Sequence, residues 1–129
     1  MLGFVTIGAV DHGKSVAFYD AVLGHIGYVR TANEGGWANY AIKGSDKASL
    51  FVVSATNNGE PAKAGNGTMI ALNARGRGEV EAVHKAGLKA GGTDEGAPGP
   101  RPADSKDFFA CYLRDPTGNK LCIFSRGAA

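Results

Sequence analysis

At 129 residues, with 43% hydrophobic and 20% charged side chains, the chain can bury roughly two thirds of its unfolded surface, so one compact domain is expected without disulfide or metal support. Fourteen basic residues against twelve acidic ones leave a net charge of +2, spread without the basic stripe that nucleic-acid binding needs. No apolar stretch is long enough to span a membrane, no secretory leader is visible, and two cysteines are too few for a disulfide framework, so a cytoplasmic protein with reduced thiols is expected.

In chain order, Phe4 to Ile7 reads as a strand. It runs into GAVDHGKS, residues 8–15, which matches G-x-x-x-x-G-K-S, a loop whose backbone N–H groups wrap nucleotide phosphates while the Lys and Ser serve the outer phosphates and Mg²⁺. A helix is predicted from Ser15, with Val16, Tyr19, Val22, Leu23 and Ile26 on one face and glycines from Gly24 to Gly27 at its end. Strand-like runs cover Tyr28 to Thr31, Gly36 to Ile42 and Ala48 to Ser54. A polar, Gly- and Asn-rich linker follows over 57–66.

The same order then returns. An apolar run from Met69 leads through a Gly-containing loop to a second helix, with Val80, Val83, His84, Gly87 and Leu88 on one face and Gly91-Gly92 at its end. A Gly/Pro loop precedes strands at Phe108 to Leu113 and Lys120 to Ser125. Asp115-Pro116-Thr117-Gly118-Asn119 joins these two strands as a hairpin, because Pro presets φ and Gly or Asn tolerates positive φ.

Aligning residue 4 with residue 69, an offset of 65, places Gly13 on Gly78, Ala17 on Ala82, Ala21 on Ala86, Leu23 on Leu88 and Gly27 on Gly92. The chain is therefore a duplicated βαβββ unit, with module one at 1–56 and module two at 67–129. Two helices among about eight strand runs do not suit a nucleotide-hydrolysing domain, which needs alternating strands and helices in a mainly parallel sheet. A nucleotide is not expected. Gly13 and Gly78 are read instead as serving one turn used twice, and Lys14 and Ser15 as the exposed start of the first helix.

The segments SVAFYDAVLGHIGY, GWANYAIKG, GNGTMIAL, GAPGPRP and RDPTGNKLCIF occur in the order and spacing of the vicinal oxygen chelate superfamily. The chain resembles its glyoxalase, bleomycin-resistance and dihydroxybiphenyl dioxygenase members from about Phe4 to Phe124. The resemblance implies an α+β fold in which the two βαβββ modules form a cupped mixed sheet with helices outside. It also implies a homodimer and a small-molecule ligand in the cup. Members that use a divalent metal take ligands from the first and last strands, and these positions fall on Phe4, Met69 and Cys122, with a fourth near Phe51. Phe has no donor atom, a Met thioether is a poor ligand for hard divalent ions, and His12, His25 and His84 lie outside the inward strand positions.

The resemblance thus implies a small-molecule binding protein without metal or other cofactor. The alternative is a metal-dependent lyase or dioxygenase, like lactoylglutathione lyase, with relocated ligands or Cys122-based chemistry. Candidate ligand-binding residues are Phe4, Trp37, Tyr40, Phe51, Met69, Arg101 and Cys122, with no catalytic residue assigned. Phe4 and Met69 either floor a pocket or fill the core, and Trp37 and Tyr40 either wall the pocket or pack the sheet. Arg101 either clamps a carboxylate or phosphate or is a solvated loop residue. Cys111, read as opposite Cys122, makes with it either a redox pair or two buried hydrophobes.

Overall fold

The computed structural model describes residues 1–127. Module one supplies β1 (Val5–Gly8), α1 (His12–Gly24), β2 (Tyr28–Glu34), β3 (Trp37–Ile42) and β4 (Ala48–Val53). Module two supplies β5 (Ile70–Asn73), α2 (Arg77–Lys89), β6 (Thr93–Pro100), β7 (Phe108–Arg114) and β8 (Lys120–Arg126). The starts of β1 and β5, α1 and α2, and β2 and β6 are each separated by 65 residues (70 − 5, 77 − 12, 93 − 28). The separation then rises to 71 for β3 and β7 (108 − 37), so the extra residues of module two lie between the starts of β6 and β7.

Each module forms a four-stranded mixed sheet, ordered β1-β4-β3-β2 and β5-β8-β7-β6. β1 pairs in parallel with β4, and β5 with β8, while the other pairs are antiparallel. Ala9 and Ala74, 65 positions apart, repeat one detail: each donates its N–H to the last residue or near-last residue of the neighbouring parallel strand, Val53 and Phe124, at 2.9 and 2.7 Å.

Four features depart from the sequence reading. The Gly/Pro loop after α2 is the strand β6, which holds Pro98 and Pro100 because it is an edge strand, where a missing N–H need not break a ladder. Its pairing with β7 shifts register around Gly96 and Gly99. α1 begins at His12, not Ser15, and Ser15 is fully buried. Lastly, neither Gly13 nor Gly78 has positive φ, and a Cβ would meet only Asp11 Oδ1 at 3.7 Å in the first case and nothing in the second, so the turn does not require them.

The Asp11 carboxylate caps α1 by accepting the Lys14 N–H at 3.1 Å, and so takes the backbone donor that a bound phosphate would need. At α2, where Gly76 offers no side-chain cap, Glu79 reaches back to the Arg75 N–H at 3.1 Å. The glycines Gly27 and Gly91, just beyond the two helices, have φ of +90° and +101°, which a side chain rarely adopts.

Strand alternation divides each sheet into two faces. Ile7, Ala38, Tyr40, Leu50 and Val52 turn toward the helices, as do Leu72, Cys111, Leu113, Leu121 and Ile123, and together with Val16, Phe18, Val22, Val80 and Val83 they form one core. The helices meet unevenly. Phe18 and Val22 of α1 lie against Gly87 and Gly92, and a Cβ on Gly87 would stand 3.3 Å from Val22 Cγ2 and 2.8 Å from Leu113 Cδ1. Val22 and Gly87 are repeat equivalents (87 − 22 is 65), so one position carries a valine in one copy and no side chain in the other.

The hairpin turn at Asp115 joins the modules. Asp115 Oδ1 accepts the N–H groups of Thr117, Gly118 and Asn119, each at 2.9 Å. Its Oδ2 accepts the Tyr19 hydroxyl of α1 at 2.6 Å and the Asn119 amide at 2.9 Å. Asn119 Nδ2 also donates to the Gly8 carbonyl at 3.0 Å, and Val10 N–H to Thr117 Oγ1 at 3.0 Å. Burial, with the Asp115 carboxylate beside it, holds the Tyr19 hydroxyl well above its ordinary pKa.

Candidate functional site

The faces turned away from the helices carry most of the predicted site residues. On the first sheet, Phe51 alternates with the core residues Leu50 and Val52 and so stands on the open face. Phe4 and Trp37 pack edge-on against it, with ring centroids 5.3 and 5.6 Å away. Phe4 is 61% and Trp37 44% exposed, enough ring surface for a further apolar group to stack on. Among the described residues, no Lys or Arg stacks on these rings.

Tyr40 does not join them. It lies three residues from Trp37, an odd step that turns it to the opposite face, where it is buried under α1. Its hydroxyl donates to Asp20 Oδ1 at 2.9 Å, and burial with that bond raises its pKa. Tyr40 is therefore a core residue that satisfies a helix carboxylate, not a wall of the open face.

The open face of the second sheet is built differently. Tyr112 lies at its middle, with the Arg101 guanidinium 5.6 Å and the Lys120 ammonium 5.5 Å from its ring centroid. Farther along, Phe108 and Phe124 stack at 5.2 Å, and Arg126 lies over both rings at 5.1 and 5.8 Å. Arg101 is held against its own strand, donating to the Ala97 and Pro100 carbonyls at 2.7 and 3.2 Å. Met69, 45% exposed, enters β5 and lines a cavity of about 580 Å³ with residues 64–68, Arg114 and Lys120.

Cys122 is buried beneath this face, paired with Tyr112 across the hairpin, while Cys111 pairs with Ile123 and turns to the helix side, its Sγ 3.8 Å from the Val80 carbonyl. The predicted facing of the two cysteines is thus wrong by one residue, which on a strand means the other side of the sheet. Burial pushes the Cys111 thiol up to about 12. It raises Cys122 as well, against the opposing pull of Tyr112, Arg101 and Lys120. Both thiols are protonated at neutral pH, and a thiol needs the reverse shift to act as a nucleophile.

Among the described residues, no three His, Cys, Asp or Glu come together to hold a metal ion. His84 Nε2 lies 2.8 Å from Asp94 Oδ1, and His12 Nε2 2.9 Å from the Val52 carbonyl. A buried protonated thiol, a thioether and two phenyl rings at Cys122, Met69, Phe4 and Phe51 do not fit a hard divalent ion.

Sequence reasoning missed three residues: Tyr112, Lys120 and Asp115. Counting outward from Thr117 at the centre of the hairpin, Tyr112 lies five residues before and Cys122 five after, and that count alone pairs them. Nothing in the sequence placed Asp115 against Tyr19, 96 residues earlier.

Two βαβββ units, each with a helix on one face of a mixed sheet and an open face on the other, define a paired-module α+β fold. The chain belongs to the Glyoxalase/Bleomycin resistance protein/Dioxygenase superfamily, whose family model matches residues 2–123. It is similar to a glyoxalase/bleomycin resistance protein from Albidiferax ferrireducens T118, at 35% identity over 98% of both chains with a TM-score of 0.84. A glyoxalase-related enzyme from Fulvimarina pelagi shares the fold at 20% identity and TM-score 0.73, over 97% of this chain and 87% of that one. A putative glyoxalase from Bacillus halodurans does so at the same identity and TM-score, over 97% and 95%. No functionally curated protein matches the chain. Among the described residues no helix is long and apolar enough to cross a membrane.

Proposed function

We propose that the protein binds a small organic molecule on its open faces, as a cytoplasmic homodimer and without a resident divalent metal. The observation that carries this is the half-exposed group of Phe4, Phe51 and Trp37, aromatic surface that the single chain leaves uncovered. The side chains at the expected ligand positions support the metal-free part, since they supply apolar surface where a metal site needs hard donors. Val29, 43% exposed on the edge strand β2, supports a subunit contact. Catalysis through Cys122 has little support, because that thiol is buried and protonated.

Trp37 is the one tryptophan, so its emission reports on the aromatic group directly. In a thermal-shift screen of small aromatic compounds, any that raise Tm are expected to change Trp37 emission and to lose their effect in Phe4→Ala. If every stabilising compound acts equally on Phe4→Ala, this face is not the site. A stoichiometric divalent ion that survives dialysis in the purified protein would overturn the metal-free reading and favour the lyase or dioxygenase alternative. Sedimentation at micromolar concentration tests the dimer.

A further inference from the structure

The segment between β4 and β5 lines cavities together with the edge strands β1 and β5 and the start of β8. Lys120 lines two of them. One, of about 580 Å³, also has Arg114 and residues 64–69 in its wall. The other, of about 210 Å³, adds Lys63, Thr6 and Asn119.

No Asp or Glu lines either cavity. Among the described residues, Lys120 and Lys63 make no ion pair, and Arg114 is the one basic lining group with a carboxylate partner, Glu95 at 2.6 Å. Two lysines without an ion-pair partner therefore line the smaller cavity together, and a concave low-dielectric surface concentrates the field of such charges. Lys120 projects from β8 and its ammonium lies beside the Tyr112 ring, so its position is constrained before any ligand arrives. The first sheet's open face has no such charge among its stacked rings.

We propose that the space bounded by Lys120, Lys63 and the 64–69 segment binds a small anion through a carboxylate or phosphoryl group. The larger cavity, of about 580 Å³, is of the size that takes a small metabolite and not a macromolecule. This rests on the small-molecule reading only in placing the ligand on the open side. It gives that ligand an acidic end and does not depend on the aromatic group.

The test is a calorimetric titration of inorganic phosphate and, separately, of acetate into the full chain, with sodium chloride holding ionic strength constant. Saturable binding is expected, weakened about tenfold in Lys120→Gln, since a lost hydrogen bond to a charged group is worth about 1.4 kcal/mol or more. A smaller loss is expected in Lys63→Gln, recovery in Lys120→Arg, and no change in Lys89→Gln, an exposed lysine in the last turn of α2. Phosphate binding without acetate binding would assign a phosphoryl ligand, and binding of both a site that also takes carboxylates.

Binding that never saturates, or that falls as much in Lys89→Gln as in Lys120→Gln, would overturn the proposal by showing only general screening of charge. The two readings fail separately. Phosphate bound at Lys120 with no compound acting through Phe4 leaves the anion site and removes the aromatic one, and the converse result removes the anion site.

Discussion

The two modules share a backbone plan yet present opposite chemistry on their open faces. In module one, Phe4, Phe51 and Trp37 pack ring edge to ring face with no cation among them. In module two, the rings of Tyr112, Phe108 and Phe124 lie under Arg101, Lys120 and Arg126. The faces could diverge because the sheets owe their stability to the other side, where both bury aliphatic side chains against a helix. Duplication fixed the frame, and the outward residues of each strand were left open to different use.

The largest expected difference between the modules lies in their β-hairpin turns. Asp115→Ala leaves three backbone donors and the Tyr19 hydroxyl without their acceptor and is expected to cost about 4 kcal/mol in urea unfolding. Asp46→Ala, in the exposed turn before β4, is expected to stay within about 0.5 kcal/mol. Equal losses would mean that Asp115 is not what holds the modules together.

Next comes the helix pair. Gly87→Ala sets a methyl group 2.8 Å from Leu113 and 3.3 Å from Val22, for an expected cost of about 2 kcal/mol by overpacking. Adding Val22→Ala should recover part of that loss, and strictly additive losses in the double-mutant cycle would show that the two positions do not meet.

A smaller effect separates the thiols from the surface. The folded Cys111 pKa of about 12 lies above its ordinary 9.0, so the unfolded chain holds fewer protons between those values. Its contribution is complete below pH 9 and is lost as pH rises toward 12. Cys111→Ala is expected to flatten the fall in stability over this window without abolishing it, because Cys122, Tyr112, Tyr19 and Tyr40 are raised in the same sense. The least disruptive test is thiol labelling at pH 8, where neither cysteine should react until the protein unfolds.

The order of elements was legible because local signals set it: apolar periodicity, turn residues, and the 65-residue repeat that survives as identical spacing up to β2 and β6. β6 was not legible, since TDEGAPGP has neither β-branched density nor alternation, and it is a strand because β7 offers it a partner. The aromatic group on the first sheet followed from single positions, but Tyr40 takes the packing role of its two readings, and Cys111 was set opposite Cys122 by a count one residue out. Arg101 was singled out, but the charged face around it was not, because Lys120 and Arg101 are brought together by Tyr112, which stands between them only after pairing.

The contact of Val22 with Gly87 also works as a rule of mating. Two copies of module one brought together in this arrangement would press valine on valine, and two copies of module two would leave a void where a side chain is wanted. Only unlike halves close neatly, whichever chain supplies each, so the repeat can no longer be reduced to one unit used twice.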